Sequence, residues 1–180
     1  MNLVFELLSS DLDRSDFSCG ENALDVYFKR QAGQDMKRGF ATVVVAKDKK
    51  DPSKILGYYT ICAYSVEITT FPYEIIKKMP RYPYVPALLL GRLAVSKEMQ
   101  GKHIGSLLVY DAMKRSCRSD LAWAFMIVDA KNISLCSFYE RFMFARFSEN
   151  SYKMWINIKQ VKKILAWKTI SSSCDSTHPL

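Results

Sequence analysis

The most informative segment of this sequence reads Leu90-Gly-Arg-Leu-Ala-Val-Ser-Lys-Glu-Met-Gln-Gly-Lys-His-Ile-Gly-Ser106. The nearly continuous apolar content from Ala87 to Val95 predicts a buried strand. The apolar spacing after Gly105 predicts an amphipathic helix, which leaves Gln100 to Gly105 as the turn between them. Such a turn predicts an anion site, because unpaired amides and the helix dipole point at the same place.

The turn also contains the residue types that a pyrophosphate group requires. Gly101 and Gly105 allow close approach of the backbone, and Lys102 adds positive charge. On spacing alone, a helix-entry turn with a solvated lysine explains these residues equally well.

The segments that precede this motif predict a strand, a helix and a hairpin. Leu3 to Leu8 is typical of an opening strand. Ser18-Cys-Gly-Glu21 has the spacing of a capping box and predicts a helix to about Ala32. Ala41 to Lys47 and Ile55 to Ile68 are rich in Val, Ile, Tyr and Thr, which predicts an antiparallel hairpin.

The rest of the chain predicts an α+β fold, with a mixed and mostly antiparallel sheet of about six or seven strands flanked by helices. We expect one domain at residues 1–165, ending in a short basic helix, and a disordered C-terminal tail at residues 166–180. The further predicted elements are a short helix at 71–79, an extended segment at 80–86, strands at 123–130 and 152–158, and a helix at 134–142.

Composition excludes several classes of protein. The five cysteines are an odd number with no close pair, which argues against a disulfide framework and a thiolate zinc site. The only histidines are His103 and His178, which are too few for a histidine-rich metal site and leave little basis for a serine–histidine relay. No metal is therefore expected. The N-terminus lacks the pattern of a signal peptide and no apolar run is long enough to span a membrane, so we expect a cytoplasmic protein.

The net charge favours a polyanionic partner. Lys and Arg number 26 against 18 Asp and Glu, which gives a net charge of +8. A nucleic acid, a phosphorylated cofactor or an acidic protein would satisfy this charge, and the charge alone does not choose among them.

The segment from Leu90 to Ser106 resembles the coenzyme A-binding motif of the GNAT superfamily of N-acetyltransferases, whose turn wraps a pyrophosphate. Asp129 to Phe142 resembles the later strand and helix of that superfamily, including its Phe-Tyr-Glu-Arg-Phe signature. Within the superfamily, four further blocks are similar to the acetyltransferase toxins of bacterial type II toxin–antitoxin pairs: Ser18-Cys-Gly20, Tyr27-Phe-Lys-Arg-Gln-Ala32, Leu56-Gly-Tyr-Tyr-Thr60 and Pro80-Arg-Tyr-Pro-Tyr-Val-Pro-Ala87.

The resemblance implies acetyl-coenzyme A as cofactor and a set of site residues. Tyr139 matches the tyrosine that protonates the departing thiolate; without the family match, a packed aromatic would be the better interpretation. The implied cofactor contacts are Leu93, Ala94 and Val95 along the pantetheine arm, Asn132 near its far end, and Gln100, Gly101, Lys102, His103, Ile104, Gly105 and Ser106 at the pyrophosphate.

Two residues depart from the superfamily pattern. His103 stands where the first glycine of the turn is usual, and Met143 replaces a glycine that is common after the Phe-Tyr-Glu-Arg-Phe run. If position 103 requires a positive φ, histidine tolerates it better than most residues, with some strain. The affinity for the cofactor is therefore open.

The acceptor implied by the toxin resemblance is aminoacyl-tRNA, whose acetylation blocks translation. No obvious carboxylate base lies near the motifs except Glu67. The pKa of an α-amino group is about 8 and is lower in an ester, so such an acceptor amine needs little help from a general base. The expected tRNA contacts are Arg92, Lys29, Arg30 and Arg81. The resemblance further implies a cognate antitoxin, commonly with a ribbon-helix-helix part, and a homodimer.

Two alternatives remain open at this stage. Within enzymes, the acceptor is a small amine or a protein N-terminus. In a different class, the chain is a coenzyme-binding or interaction module that has lost catalysis, given the departure at His103.

Overall fold

Seven strands form one sheet in the computed structural model, which describes residues 3–174 and side chains as far as Ala166. The strands are β1 (Leu3–Leu7), β2 (Thr42–Asp48), β3 (Asp51–Glu67), β4 (Tyr84–Val95), β5 (Phe125–Asp129), β6 (Ala145–Arg146) and β7 (Lys153–Asn157). Their order is β1-β2-β3-β4-β5-β7-β6. Antiparallel pairing joins β1 to β2, β2 to β3, β5 to β7 and β6 to β7, which confirms the predicted α+β sheet.

Six α-helices lie within the described residues, and none of them is long and apolar enough to cross a membrane. They are α1 (Asn22–Val26), α2 (Ala32–Lys37), α3 (Tyr73–Ile76), α4 (Ile104–Arg118), α5 (Ile133–Glu140) and α6 (Ile158–Cys174), and a π-helical segment (Tyr27–Gln31) joins α1 to α2. Helix α6 is longer than the short helix expected before residue 166. Residues 175–180 of the expected tail lie outside the described residues.

The predicted capping box at Ser18 and Glu21 is wrong. Helix α1 begins at Asn22, and the side chain of its N-cap residue, Glu21, makes no capping hydrogen bond. Asp25 in the first turn accepts hydrogen bonds from the Ser18 hydroxyl (2.9 Å) and the Cys19 amide (2.8 Å) instead. The carboxylate is thus supplied from inside the helix, and it holds the preceding loop against the first turn.

The first of two compact units comprises Met1–Ala63 and Leu90–Ala112. Its core contains stacked aromatic rings: Phe28 lies parallel to Tyr58 with 4.2 Å between centroids, and Phe17 meets Phe28 edge-on at 4.9 Å. The Tyr58 hydroxyl donates to the carbonyl of Leu24 at 2.8 Å. These contacts fix the α1–π–α2 segment against β3.

The second unit comprises Tyr64–Leu89 and Met113–Leu180. Its core is also aromatic, with Phe71 at 4.6 Å from Phe125 and both rings beside Trp155. Apolar side chains of α3 and of the segment before it pack on this cluster, together with Tyr64 and Phe147.

Gly57 on β3 is required by close backbone packing. A Cβ atom at this position would lie 2.6 Å from the carbonyl oxygen of Ala94 on β4, closer than real Cβ atoms come to such an atom. Because that oxygen belongs to the backbone, it cannot move aside by a change of side-chain rotamer. The glycine therefore sets how closely β3 approaches the end of β4.

We predict that Gly57→Ala lowers the free energy of unfolding by about 1–3 kcal/mol, the usual cost of overpacking. Gly33→Ala is the matched control: its Cβ would meet only the Arg14 guanidinium at an ordinary 3.8 Å, so alanine in this helix should add about 0.5–1 kcal/mol. Urea unfolding followed by tryptophan fluorescence measures both. Wild-type stability of Gly57→Ala would contradict the packing constraint.

Candidate active site

The turn between β4 and α4 has an unusual backbone. Gly101 has a φ of 75° and His103 a φ of 62°, both in the left-handed region. An added Cβ at Gly101 would meet nothing within 4 Å, so the turn is open on that side. His103 therefore occupies a conformation that glycine adopts at little cost and that histidine tolerates with some strain.

This backbone leaves the amides at the start of α4 available for an anion. The first turn of α4 is closed by a bond from the Leu107 amide to the His103 carbonyl (3.2 Å), so helix geometry supplies no partner for the amides of residues 104–106. Gly101, Lys102 and His103 are exposed, whereas the side chain of Ile104 is buried and anchors the turn. The donor set fits the pyrophosphate of a coenzyme A molecule.

Gln100 braces the turn from the protein side. Its side-chain amide donates to the carbonyl of Cys19 (2.8 Å) and to that of Val95 (3.2 Å). Next to it, the amide of Lys97 donates to the carbonyl of Ser18 at 2.8 Å. Gln100 was predicted to contact the cofactor. In the structure its side-chain amide instead links the turn to the loop before α1 through the Cys19 carbonyl.

The expected pantetheine contacts lie at the end of β4. Ala94 is buried, and Leu93 and Val95 are half-buried. The amide of Ser96 donates to the carbonyl of Leu56, which ties the strand end to β3.

Arg92 on β4 makes a contact that the sequence did not predict. Its guanidinium lies 3.7 Å from the centroid of the Tyr27 ring, and its amide donates to the Thr60 hydroxyl at 2.9 Å. Tyr27 is buried and begins the π-helical segment, a kind of distortion that is frequent at functional sites. Burial, reinforced by the Asp35 carboxylate, raises the pKa of Tyr27 to about 12, so the ring under Arg92 stays neutral.

From sequence patterns alone, Tyr27 was only a residue within the helix predicted to end at about Ala32. A π-helical segment shifts the phase of the helix by one residue, and apolar periodicity does not signal that shift. The segment from Tyr27 to Ala32 resembles the toxin group, and that resemblance was the one available indication that Tyr27 has a functional role.

An apolar cavity of about 230 Å³ lies in the same unit. Burial raises the pKa of the Cys62 thiol, and the positive charge of Arg92 opposes that shift. The cavity is lined by Leu7, Met36, Gly39, Phe40, Ala41, Thr42, Ile61, Cys62 and Ala63.

Tyr139 and Asn132 belong to the second unit and lie on and before α5. Asn132 is the N-cap residue of α5, and its side-chain oxygen accepts from the Leu135 amide at 2.9 Å. Tyr139 is buried between Phe138 and Phe144, with ring centroids at 5.1 and 5.5 Å. This burial raises the pKa of Tyr139 to about 12, so its hydroxyl keeps its proton at neutral pH.

Met143, the second departure from the superfamily pattern, also has a positive φ of 66°. It follows the end of α5, where its amide donates to the carbonyl of Glu140 at 2.9 Å. Both residues that stand in place of a usual glycine thus have a positive φ, which glycine adopts at the lowest cost.

Residues 6–144 match the acetyltransferase (GNAT) family. Since this match spans more than half of the chain, the protein belongs to the GNAT family of acetyltransferases.

The chain is also similar to individual proteins and solved structures. The chain is 30% identical over 135 residues to the tRNA-acetylating toxin of Mycobacterium tuberculosis, covering 73% of this chain and 78% of that protein. The structure of AtaT complexed with acetyl-methionyl-tRNAfMet matches with a TM-score of 0.81 at 27% identity, over 91% of this chain and 99% of that one. The structure of AtaTR bound with AcCoA matches with a TM-score of 0.75 at 27% identity, over 90% and 97%.

We predict that His103→Gly raises the free energy of unfolding by about 1 kcal/mol, because glycine removes the cost of the left-handed conformation. Met143→Gly should show the same gain, and Lys102→Gly, at a position without a positive φ, should show none. Calorimetry should give His103→Gly an affinity for acetyl-coenzyme A at least equal to that of the wild type. A clear loss of affinity would mean that the imidazole itself binds the cofactor.

Proposed function

We propose that this protein transfers the acetyl group of acetyl-coenzyme A to the α-amino group of aminoacyl-tRNA and thereby acts as a translation-blocking toxin. The similarity to a tRNA-acetylating toxin along 73% of the chain carries this proposal. The exposed amides of the turn before α4 and the net charge of +8 support it, because they fit a nucleotide-containing donor and a polyanionic acceptor.

Acetyl-coenzyme A supplies the reactive thioester. The amides of residues 104–106, with Gly101, Lys102 and His103, hold its pyrophosphate, and the end of β4 lies along its pantetheine arm. Asn132 contacts that arm through the amide nitrogen that its capping bond leaves unused. Because the α-amino group of an aminoacyl ester is largely neutral near pH 7 to 8, the protein needs no strong general base.

Tyr139 supplies the proton that the departing thiolate takes up. A pKa of about 12 keeps the hydroxyl protonated across the physiological pH range, so its proton is present when the thiolate departs. Its ring is held by Phe138 and Phe144, so the hydroxyl has a fixed direction.

Four basic residues bind the tRNA in this proposal. The guanidinium of Arg92 is held over the Tyr27 ring and contacts the acceptor end of the tRNA. Lys29 and Arg30 follow Tyr27 on the π-helical segment, and Arg81 is exposed before β4. The salt dependence of binding should be steep, because phosphate contacts release counterions.

The apolar cavity beside Cys62 receives the side chain of the amino acid. Its lining of aliphatic, aromatic and sulfur-containing side chains favours an apolar amino acid over a charged one. Transfer measured across individually charged tRNAs identifies the amino acid.

Further proposals follow from the toxin assignment. A cognate antitoxin, with a ribbon-helix-helix part, neutralises the protein, and the active form is a homodimer. The reaction takes place in the cytoplasm, where charged tRNA is found.

Purified protein with labelled acetyl-coenzyme A tests the function. We expect label on the α-amino group of charged tRNA and none on deacylated tRNA or spermidine. Label on spermidine or on peptides instead would favour the alternative acceptors. Binding of acetyl-coenzyme A without any transfer would favour a module without catalysis.

We predict that Tyr139→Phe leaves folding and cofactor affinity nearly unchanged and lowers the rate of transfer by roughly a hundredfold to ten-thousandfold, the usual contribution of general acid catalysis. Phenylalanine keeps the ring and its packing, so Phe138→Leu serves as a control that disturbs the packing and leaves the hydroxyl. Transfer at the wild-type rate in Tyr139→Phe would return Tyr139 to a purely structural role.

The pH profile of the wild type provides a second check on the same residue. Because the pKa of Tyr139 is raised, its proton is retained as pH increases, while the acceptor amine loses its proton between pH 6 and about 9. The rate should rise with pH and then level off. A fall below pH 9 would require an acid with a lower pKa.

A further inference from the structure

The positive charge of the chain is concentrated in the second unit. This unit holds 14 Lys and Arg against seven Asp and Glu, a net charge of +7, whereas the first unit holds 12 against 11, a net charge of +1. A polyanion is therefore attracted mainly to the second unit, which contains only Arg81 among the tRNA contacts considered so far.

The second unit also contains a concavity with an aromatic lining, here called the tyrosine pocket. Its volume of about 380 Å³ falls in the range of about 300–1,000 Å³ typical of ligand sites. It is lined by Tyr64, Ser65, Val66, Glu67, Thr70, Tyr84, Phe147 and Lys153. No local pattern in the sequence indicates this pocket, because its walls come from segments far apart in the chain.

Lys153 is held in place within the tyrosine pocket. Its ammonium group donates to the Tyr64 hydroxyl at 2.6 Å and lies 4.8 Å from the centroid of the same ring. An ammonium group has three donor hydrogens, so two remain for a phosphate oxygen. This lysine is thus a fixed positive charge beside an aromatic surface.

The aromatic walls of the pocket come from separate segments of the chain. Tyr84 is the first residue of β4 and is 56% exposed, and Phe147 packs on Phe71 with 5.0 Å between ring centroids. An exposed ring beside half-buried rings and a cation is an arrangement that suits single-stranded nucleic acid, because bases stack on aromatic rings and phosphates contact the cation.

Glu67 distinguishes a nucleotide from a simple anion. Its carboxylate lines the same pocket as Lys153 and would repel a free phosphate or sulfate. It can accept a hydrogen bond from the exocyclic amine of cytosine or adenine.

We propose that the tyrosine pocket binds a nucleotide of the single-stranded 3′ end of the tRNA substrate, with its base on the aromatic lining and its phosphate on Lys153. This proposal rests on the proposed function, since it assigns a surface to the same substrate. It also assigns new roles to Tyr84, Lys153 and Glu67, which act by positioning the acceptor and not in the chemical step.

Steady-state kinetics of Tyr84→Ala with charged tRNA test the pocket. The KM should rise about fivefold to a hundredfold, the value of one base–aromatic stack, while kcat at saturation is unchanged. Tyr73→Ala is the matched control, because Tyr73 is a more exposed tyrosine of the same unit that does not line the pocket. Both variants should acetylate the methyl ester of the same amino acid, which has no RNA, at the wild-type rate.

Lys153→Met tests the phosphate contact. The slope of log Kd for tRNA against log salt should fall by about 0.7, the value for one contact to a single strand, and Lys163→Met should change it less. Equal KM values for Tyr84→Ala and Tyr73→Ala, or an unchanged slope for Lys153→Met, would overturn the proposal. Loss of antitoxin binding with unchanged KM for tRNA would also overturn it.

Direct binding separates this proposal from the proposed function. A single-stranded ACCA oligonucleotide should bind the wild type and bind Tyr84→Ala more weakly by the same factor as the change in KM. If the wild type transferred no acetyl group to charged tRNA but still bound the oligonucleotide in this way, the function would be wrong and the pocket assignment would stand. Equal binding by both proteins would refute the pocket alone.

Discussion

The left-handed backbone at Gly101 and His103 is the constraint on which the site depends. The chain leaves β4 at Val95 and must reverse within a few residues to start α4 at Ile104. Two positive φ values lie within that reversal, and the first amides of the helix have no partner within the helix. The pyrophosphate site that we propose therefore rests first on backbone donors.

The surroundings of the turn serve to hold this backbone. Gln100 bonds to two carbonyl groups, the Lys97 amide reaches Ser18, and Gly57 allows β3 to approach the strand end. The loop at Ser18 is in turn held by Asp25. Residues far apart in the sequence therefore converge on one turn, and the strain at His103 is balanced by these contacts.

Local patterns in the sequence were sufficient for much of the fold. The hairpin, the β4–turn–α4 motif and α5 were predicted from short-range periodicity, and the structure contains all three. The capping box failed because the helix begins only at Asn22, and the Asp25 carboxylate accepts from the Ser18 hydroxyl and the Cys19 amide instead. The stack of Arg92 on Tyr27 and the lining of the tyrosine pocket join distant segments, and no local pattern carries that information. Residue types were enough to suggest the pyrophosphate turn, whereas the hydrogen bonds by which Gln100 supports the turn are visible only in the structure.

A crystal structure of the protein with acetyl-coenzyme A tests the central claim most directly. The account predicts that pyrophosphate oxygens lie at hydrogen-bond distance, about 2.7–3.2 Å, from amides of the turn and of residues 104–106, with φ at His103 still positive. A pyrophosphate bound elsewhere, or a turn that changes to negative φ at His103 when the cofactor binds, would contradict it.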